Sequence, residues 1–370
     1  MKRLRGLAPC RRNVRQVVLA LLVAAGAAAV FGSASATTTK ASAPSSQRGK
    51  IKLTYVSYGG ALQKAEEKAL IKPYEKLHPN IDIVYDPTTS YSKLKLMVES
   101  KNVTWDVVDV GNDFGLSRTD TKLLVKINCK IVPCAVLQPK RYPTTGYRVN
   151  FSPSGEALGY NTKLMPSGRV PKSWADFFDK TRFPGKRIAM PPDAYSWAYE
   201  PALVASGVPR NKLYPLNLTR ALQEWDKIKD VTTFTSNFQQ CAESVATGDA
   251  AMGMCWSGRF YDVKKRGAPV AVSWNGATLN GGYLVIPKGS KHVAQSMRFI
   301  AYIVSKKAQA AFTNQIPYGP ARLDALPLVK RSILPWLATR RSKQAIFIND
   351  AWWAKNRDHA LKVWQEWLQK

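Results

Sequence analysis

Acid, histidine and catalytic signatures are all scarce in this chain. Asp and Glu number 25 against 55 Lys and Arg, and there are three histidines, His78, His292 and His359. Each histidine stands alone in a Lys- or Asp-bearing stretch, so surface imidazoles are expected and no His-based acid–base or metal cluster. No His-Glu-x-x-His, Gly-x-Ser-x-Gly or Gly-x-x-x-x-Gly-Lys run occurs. The chain is therefore read as not an enzyme and as needing no cofactor and no metal. Cys-x-x-Cys is absent and no histidine neighbours a cysteine pair, which argues against a zinc site. No internal repeat occurs. Beyond residue 36 no apolar run is long enough to cross a membrane. The basic excess invites a nucleic-acid reading. Its lysines and arginines are nevertheless scattered from Lys64 to Arg340, with no RNP, zinc-finger or basic-zipper pattern, so a solvated basic surface is expected and no nucleic acid.

What is present begins with a leader. Lys2, Arg3, Arg5, Arg11, Arg12 and Arg15 form a positive segment without acids. Val17 to Phe31 is apolar and too short for a comfortable span, and Ala34-Ser35-Ala36 supplies small residues for cleavage. A signal peptide over 1–36, cut near Ala36, is expected; Arg11-Arg12 leaves the choice of export route open. Cys10 precedes the apolar run and is not placed to become a lipidated N-terminus. Residues 37–50 are rich in Ser, Thr, Ala and Lys and read as a disordered leader. Four cysteines remain after cleavage: Cys129, Cys134, Cys241 and Cys255. An even count in an exported chain points to two disulfides. Three connectivities are possible; the local pairs Cys129–Cys134 and Cys241–Cys255 are preferred because each falls within one expected lobe.

Periodicity places strands at 51–56, 81–85 and 106–110, with helices between them at 60–77 and 91–100. Pro73 should kink or restart the first of these. Strand–helix–strand repeats with short links predict a parallel sheet with right-handed crossovers. Ligands in such sheets sit beyond the carboxyl ends of the strands, here Ser57, Tyr58 and Gly59 after the first and Asn112 and Asp113 after the third. Further strands are expected at 157–160, 186–190, 270–273 and 283–286. Helices are expected from Trp174, capped by Ser173, and over 219–229. Trp353, Trp364 and Trp367 recur at helix-compatible spacing and predict a packed terminal helix.

Several blocks carry a closer resemblance. VATGDAAMGMCWSGRF, VAVSWNG, GGYLVIPKG and QIPYGPAR follow one another between Val245 and Arg322. VSYGGALQKAEEKALIKPYEK, YSKLKLMVESKNVTWDVVDV and PKSWADFFDKTRFPGKR precede them. In this order they resemble the solute-binding proteins of ABC importers, in the spermidine/putrescine-binding branch of extracellular solute-binding family 1, over residues 51–325. The resemblance implies an α/β, two-lobed periplasmic binding protein of type II, with a ligand cleft between lobes joined by hinge crossovers. Lobe 1 would take 51–150 and 279–325, lobe 2 would take 155–275, and 326–370 would form C-terminal helices of unassigned lobe. The implied partners are a small amine, polyamine-like or amino-acid-like, and an ABC permease in the inner membrane, with the binder a periplasmic monomer. The alternative is a non-transporting receptor or adaptor with a degenerate cleft.

The resemblance also implies site residues. Trp256 and Tyr318 match aromatic walls of the cleft, and Asp193 matches an acid that contacts ligand amines. Tyr195 lies on the same loop, and Tyr283 opens the strand after the hinge. Arg259 has two readings, a ligand acid or the neighbouring Asp262, and surface pairing with Asp262 is the preferred one. The family's hinge acid is missing: Gly282 stands in its place, with Asn280 two residues earlier. A diammonium ligand needs a carboxylate near each end. Asp113, or cation–π contacts, would have to replace it; Asn280 and Ser57 would equally suit a neutral or carboxylated ligand, and the Gly59-Gly60 helix start could receive an anion.

Overall fold

The computed structural model describes residues 49–137, 144–192, 196–341 and 343–370. The leader assignments fall on residues outside that range up to Arg48.

Two five-stranded sheets organise these residues. The first has the order β2-β1-β3-β11-β4 and combines Ile51–Val56 (β1), Ile81–Asp86 (β2), Val107–Val110 (β3), Val149–Asn150 (β4) and Tyr283–Val285 (β11). The second has the order β7-β6-β8-β5-β9 and combines Glu156–Asn161 (β5), Arg187–Ala189 (β6), Thr232–Phe234 (β7), Met252–Trp256 (β8) and Val270–Ser273 (β9). The parallel expectation holds for β2-β1-β3 only. β11 enters antiparallel beside β3, with Tyr283 opposite Val110, because this strand returns from the second sheet and not from a βαβ crossover. Both sheets are therefore mixed.

The helices are Gly60–Glu66 (α1), Lys72–Leu77 (α2), Tyr91–Glu99 (α3), Arg118–Thr121 (α4), Trp174–Phe178 (α5), Tyr199–Ala205 (α6), Leu218–Asp226 (α7), Phe238–Thr247 (α8), Ser257–Lys265 (α9), Val293–Ile303 (α10), Lys306–Gln315 (α11) and Asp350–Leu368 (α12). Pro73 takes the first turn of α2, and the chain between α1 and α2 widens into a π-helical turn over Glu67–Ile71. A π-turn ahead of a proline is one way of absorbing its missing N–H donor. Ser173 caps α5 and Asp176 closes the capping box.

The chain leaves the first sheet after β4 and returns before β11. The two crossings pair with each other at Ser154 and Asn280. Gly155 is required there: a Cβ would lie 1.9 Å from the Thr278 carbonyl oxygen. Beside the crossings, Thr278–Leu279 (β10) pairs in parallel with Ile346–Phe347 (β12). The C-terminal segment thus adds a third strand to the hinge.

From there α12 runs onto the second sheet's helices. Trp353, Trp364 and Trp367 are buried among Trp197, Tyr199, Trp225 and Phe234. Its other side reaches the first lobe. Asp350 pairs with the fully buried Arg148 at 2.9 Å, and Arg357 meets Asp113 at 3.4 Å. The Cys129–Cys134 and Cys241–Cys255 sulfurs are bonded, one pair beside each sheet. The second bond joins α8 to β8.

Candidate functional site

The ends of β1, β3 and β8, the hinge crossings and the starts of α8 and α9 converge on one cavity of ≈ 40 Å³. A water needs roughly 10–15 Å³ on this measure, so the space suits a small solute and not a sugar conjugate in this conformation. Tyr58, Phe238, Trp256 and Tyr318 supply aromatic walls. Neighbouring rings in that series stand 5.2 to 6.3 Å apart between centroids. Gly258 lets the wall close, since a Cβ there would meet the Tyr318 ring at 2.5 Å.

The two lobes touch across this cavity. The Ala61 N–H, in the first turn of α1, donates to Gln239 Oε1 on α8 at 3.4 Å. A Cβ on Gly60, whose φ is +61°, would lie 3.1 Å from Nη1 of Arg259 on α9. This glycine therefore answers both a left-handed backbone and a close approach of the guanidinium.

Arg259 is the decisive side chain. It is 1 % exposed, and its Nε and Nη1 have no hydrogen-bond partner among the described residues. The expected pairing with Asp262 does not form. The half-buried Asp262 is taken by Arg266 at 3.1 Å and by Gln239 Nε2 at 3.3 Å, while Arg259 is buried against the cavity. A buried guanidinium without a carboxylate is costly unless a ligand supplies one. Trp256 Nε1 also lacks a partner. Together these are donors waiting for an acceptor.

Acceptors line the same cavity. Asp109 on β3 is buried, with Oδ1 unpartnered, and Asn280 Oδ1 is likewise buried and unpartnered. Behind Asp109, Ser57 Oγ lies 3.3 Å from its Oδ2 and 3.1 Å from Oε1 of Glu66 on α1. Glu66 also accepts from the Tyr55 and Tyr85 hydroxyls at 2.7 Å each. Burial pushes Glu66 up to about 7, and burial together with the Glu66 charge raises Asp109 well above the carboxylate range.

Of the residues expected at the site, Tyr58, Trp256, Asn280 and Tyr318 line the cavity together. Ser57 lies just behind it, and Gly59 lies at its mouth with its N–H donated to the Tyr85 hydroxyl. That donation leaves the Gly59 amide occupied for any anion. Asn112, Asp113 and Tyr283 are engaged elsewhere. Asn112 donates to Asp350, Asp113 accepts from Tyr91 and faces Arg357, and the Tyr283 ring packs on Arg148 at 3.8 Å. Asp193 and Tyr195 lie outside the described residues.

Asp109, Phe238 and Glu66 escaped the sequence reading, and Arg259 was weighed there but given to Asp262. Two of them left a signal. Asp109 interrupts the apolar strand VVDV, and Glu66 sits on the apolar face of α1 beside Leu62, Ala65 and Ala69. Acids in such places are buried and need a reason.

A third buried acid belongs to the hinge. Glu156, the first residue of β5, accepts from Ser196 Oγ and from the Trp197 N–H at 3.1 Å, and burial pushes it up to about 8. Its folded value lies above its unfolded one, so folded protein holds the extra proton between roughly pH 4.5 and 8. Stability from this group is full at the acid end of that window and lost as pH rises through 8. Glu156→Gln should accept from the Trp197 N–H through its oxygen, donate to Ser196 Oγ through its amide, and flatten the fall in Tm between pH 5.5 and 8.5. An unchanged slope in the variant would show that Glu156 ionises freely.

Comparison with known proteins agrees with this architecture. Residues 69–334 match the family model described as bacterial extracellular solute-binding protein. A gamma-aminobutyric acid-binding protein of Pseudomonas aeruginosa is 31 % identical over 301 residues, covering 78 % of this chain and 82 % of the relative. A spermidine/putrescine-binding periplasmic protein of Haemophilus influenzae is 25 % identical over 291 residues, covering 76 % and 78 %. Among solved structures, a GABA receptor superposes with TM-score 0.77 at 32 % identity over 86 % of this chain and 98 % of that one. The binding protein AgtB of A. tumefaciens R10, in complex with agropinic acid, gives 0.79 at 32 %, over 86 % and 99 %.

Proposed function

We propose that this chain, which belongs to the bacterial extracellular solute-binding protein family, captures a small solute bearing both an amine and a carboxylate and delivers it to an ABC permease of the inner membrane. The leader would export it, cleavage near Ala36 would free it, and it would work as a periplasmic monomer. Among the described residues no helix is long and apolar enough to cross a membrane.

The observation that carries the reading is the buried Arg259, whose Nε and Nη1 have no hydrogen-bond partner among the described residues, in a small aromatic cavity. A diamine would place a second cation there. At ~5 Å and an effective dielectric of ~20, the repulsion is about 3 kcal/mol. A carboxylate at the same place turns that cost into an attraction. The ligand's amine then needs an acceptor, and Asp109 and Asn280 line the same cavity. The relatives named for gamma-aminobutyric acid support the same class. In this reading the lobes, 51–150 with 279–325 and 155–275, close about the Ser154–Asn280 crossings. Closure is favoured by contacts that exist only when Arg259 and Gln239 lie over the start of α1.

Thermal unfolding against a solute panel tests it. 4-Aminobutyrate at a hundred times its dissociation constant should add about 2.7 kcal/mol of stability. Putrescine and spermidine should shift the transition less. A shift with diamines alone would overturn the carboxylate assignment.

A further inference from the structure

We infer that Asp109 is the group that receives the ligand's ammonium, and that binding there expels a proton held between Asp109 and Glu66. This rests on the reading of the cavity as a site for an amine that also bears a carboxylate.

The geometry is specific to one wall. Among the described residues, Asp109 is the carboxylate that lines the cavity. Its Oδ1 has no hydrogen-bond partner and its Oδ2 is held by Ser57 Oγ. The missing hinge acid, replaced by Gly282 and Asn280, leaves the family's usual counter-charge vacant on the crossing strand. An acid on β3 instead faces the space from the first lobe. Asn280 Oδ1 provides a second acceptor from the hinge. An ammonium has three donors and can use both.

The coupling follows from the surroundings. Ser57 has one hydroxyl proton and stands within 3.3 Å of both carboxyls, so it satisfies one of them at a time. Tyr55 from β1 and Tyr85 from β2 donate to Glu66. Tyr318, from the loop after α11, is buried within electrostatic range of Asp109, Glu66, Glu156 and Arg259. Arg259 is the cation facing this group from the second lobe, and it also acts on Glu66. One positive charge against two buried acids favours a shared proton. The ligand zwitterion adds no net charge, but its carboxylate goes to Arg259 while its ammonium meets Asp109 directly; that contact charge favours ionised Asp109 over its protonated form, and the shared proton passes to solvent. Both ligand groups keep their charge between pH 5.5 and 8. Affinity therefore rises with pH across that window.

Isothermal titration with 4-aminobutyrate, putrescine and butyrate tests this, at pH 5.5, 6.5 and 8 and in buffers of different ionisation enthalpy. Wild type should bind 4-aminobutyrate with net proton release near pH 6.5 and tighter at pH 8. Asp109→Asn should weaken 4-aminobutyrate by ~30-fold or more, lose the proton release, and bind butyrate at least as well as wild type. Butyrate binding also shows that the variant is folded. Glu66→Gln is the second variant. It keeps Asp109, removes its neighbour's charge, and should flatten the pH dependence while binding 4-aminobutyrate at least as tightly. Wild-type affinity for 4-aminobutyrate in Asp109→Asn, or an unaltered pH profile in Glu66→Gln, overturns the inference and leaves the carboxylate reading standing. If wild type binds putrescine alone or none of the three, both fall.

Discussion

Arg259→Met should lose 4-aminobutyrate affinity by about a hundredfold or more, and the ligand-free protein should become no less stable. The two effects share one cause. The guanidinium is buried in the cavity with Nε and Nη1 unpartnered among the described residues, so in the bound state it meets a carboxylate out of water. Truncating one member of such a pair costs about 2–5 kcal/mol, and each 1.4 kcal/mol is tenfold in affinity. Without ligand the same cation carries a desolvation cost that its attraction to the buried Glu66 offsets only in part, and methionine of similar reach removes it. The variant should also narrow the gap between putrescine and 4-aminobutyrate, since the repulsion toward a second cation goes with the charge. Calorimetry and a melting curve on the same preparations decide the matter. Unchanged affinity would mean that the carboxylate docks elsewhere, and a large loss of stability would mean that Arg259 has a structural partner.

The second large effect concerns stability. Trp364→Ala should cost about 3–5 kcal/mol. Trp364 is buried edge-on against Trp225 and Phe234, with centroids at 5.8 and 5.4 Å, and close to Trp367 at 4.9 Å. Aromatic pairs of this geometry add about 0.5–1.5 kcal/mol beyond the area they bury. Its loss would loosen α12 from the second lobe and reach the first lobe too. The same helix carries Asp350 to Arg148 and Arg357 to Asp113. Leu368→Ala, at the exposed end of the helix, should change stability by less than ~0.5 kcal/mol. Equal transitions for the two variants would show that α12 is an accessory segment and not part of the core.

Much of the scaffold was legible from local rules. Apolar runs and helical spacing placed β1 to β3, β5, β9 and α3 within a residue or two; β3 and β5 are buried along their whole length, and α3 buries one face. Ser173 announced α5 through its cap, and Pro73 marked a break that the π-turn realises. The packed stripe of Trp353, Trp364 and Trp367 followed from spacing alone. The binding-protein architecture was legible because whole blocks around Trp256 and Tyr318 resemble a known family, and the matching relatives and structures belong to it.

The sequence by itself determined the element order, the apolar faces and the family. It did so because propensity, capping and burial periodicity act over a few residues and are written in consecutive letters. Tertiary structure alone decided the chemistry of the cavity. Arg259 and Asp262 are three residues apart on one helix, yet one is fully buried at the cavity and the other is half-buried and paired with Arg266, and that depends on where the lobes meet. Asp113, four residues beyond Asp109, turns to Arg357, which arrives from the far end of the chain. Glu66, Ser57 and Asp109 form one cluster because three separate elements end at the same sheet edge. Charge, unlike apolar periodicity, takes its meaning from neighbours distant in sequence, since burial and partner together set whether a carboxyl or guanidinium is ionised, paired or free for a ligand.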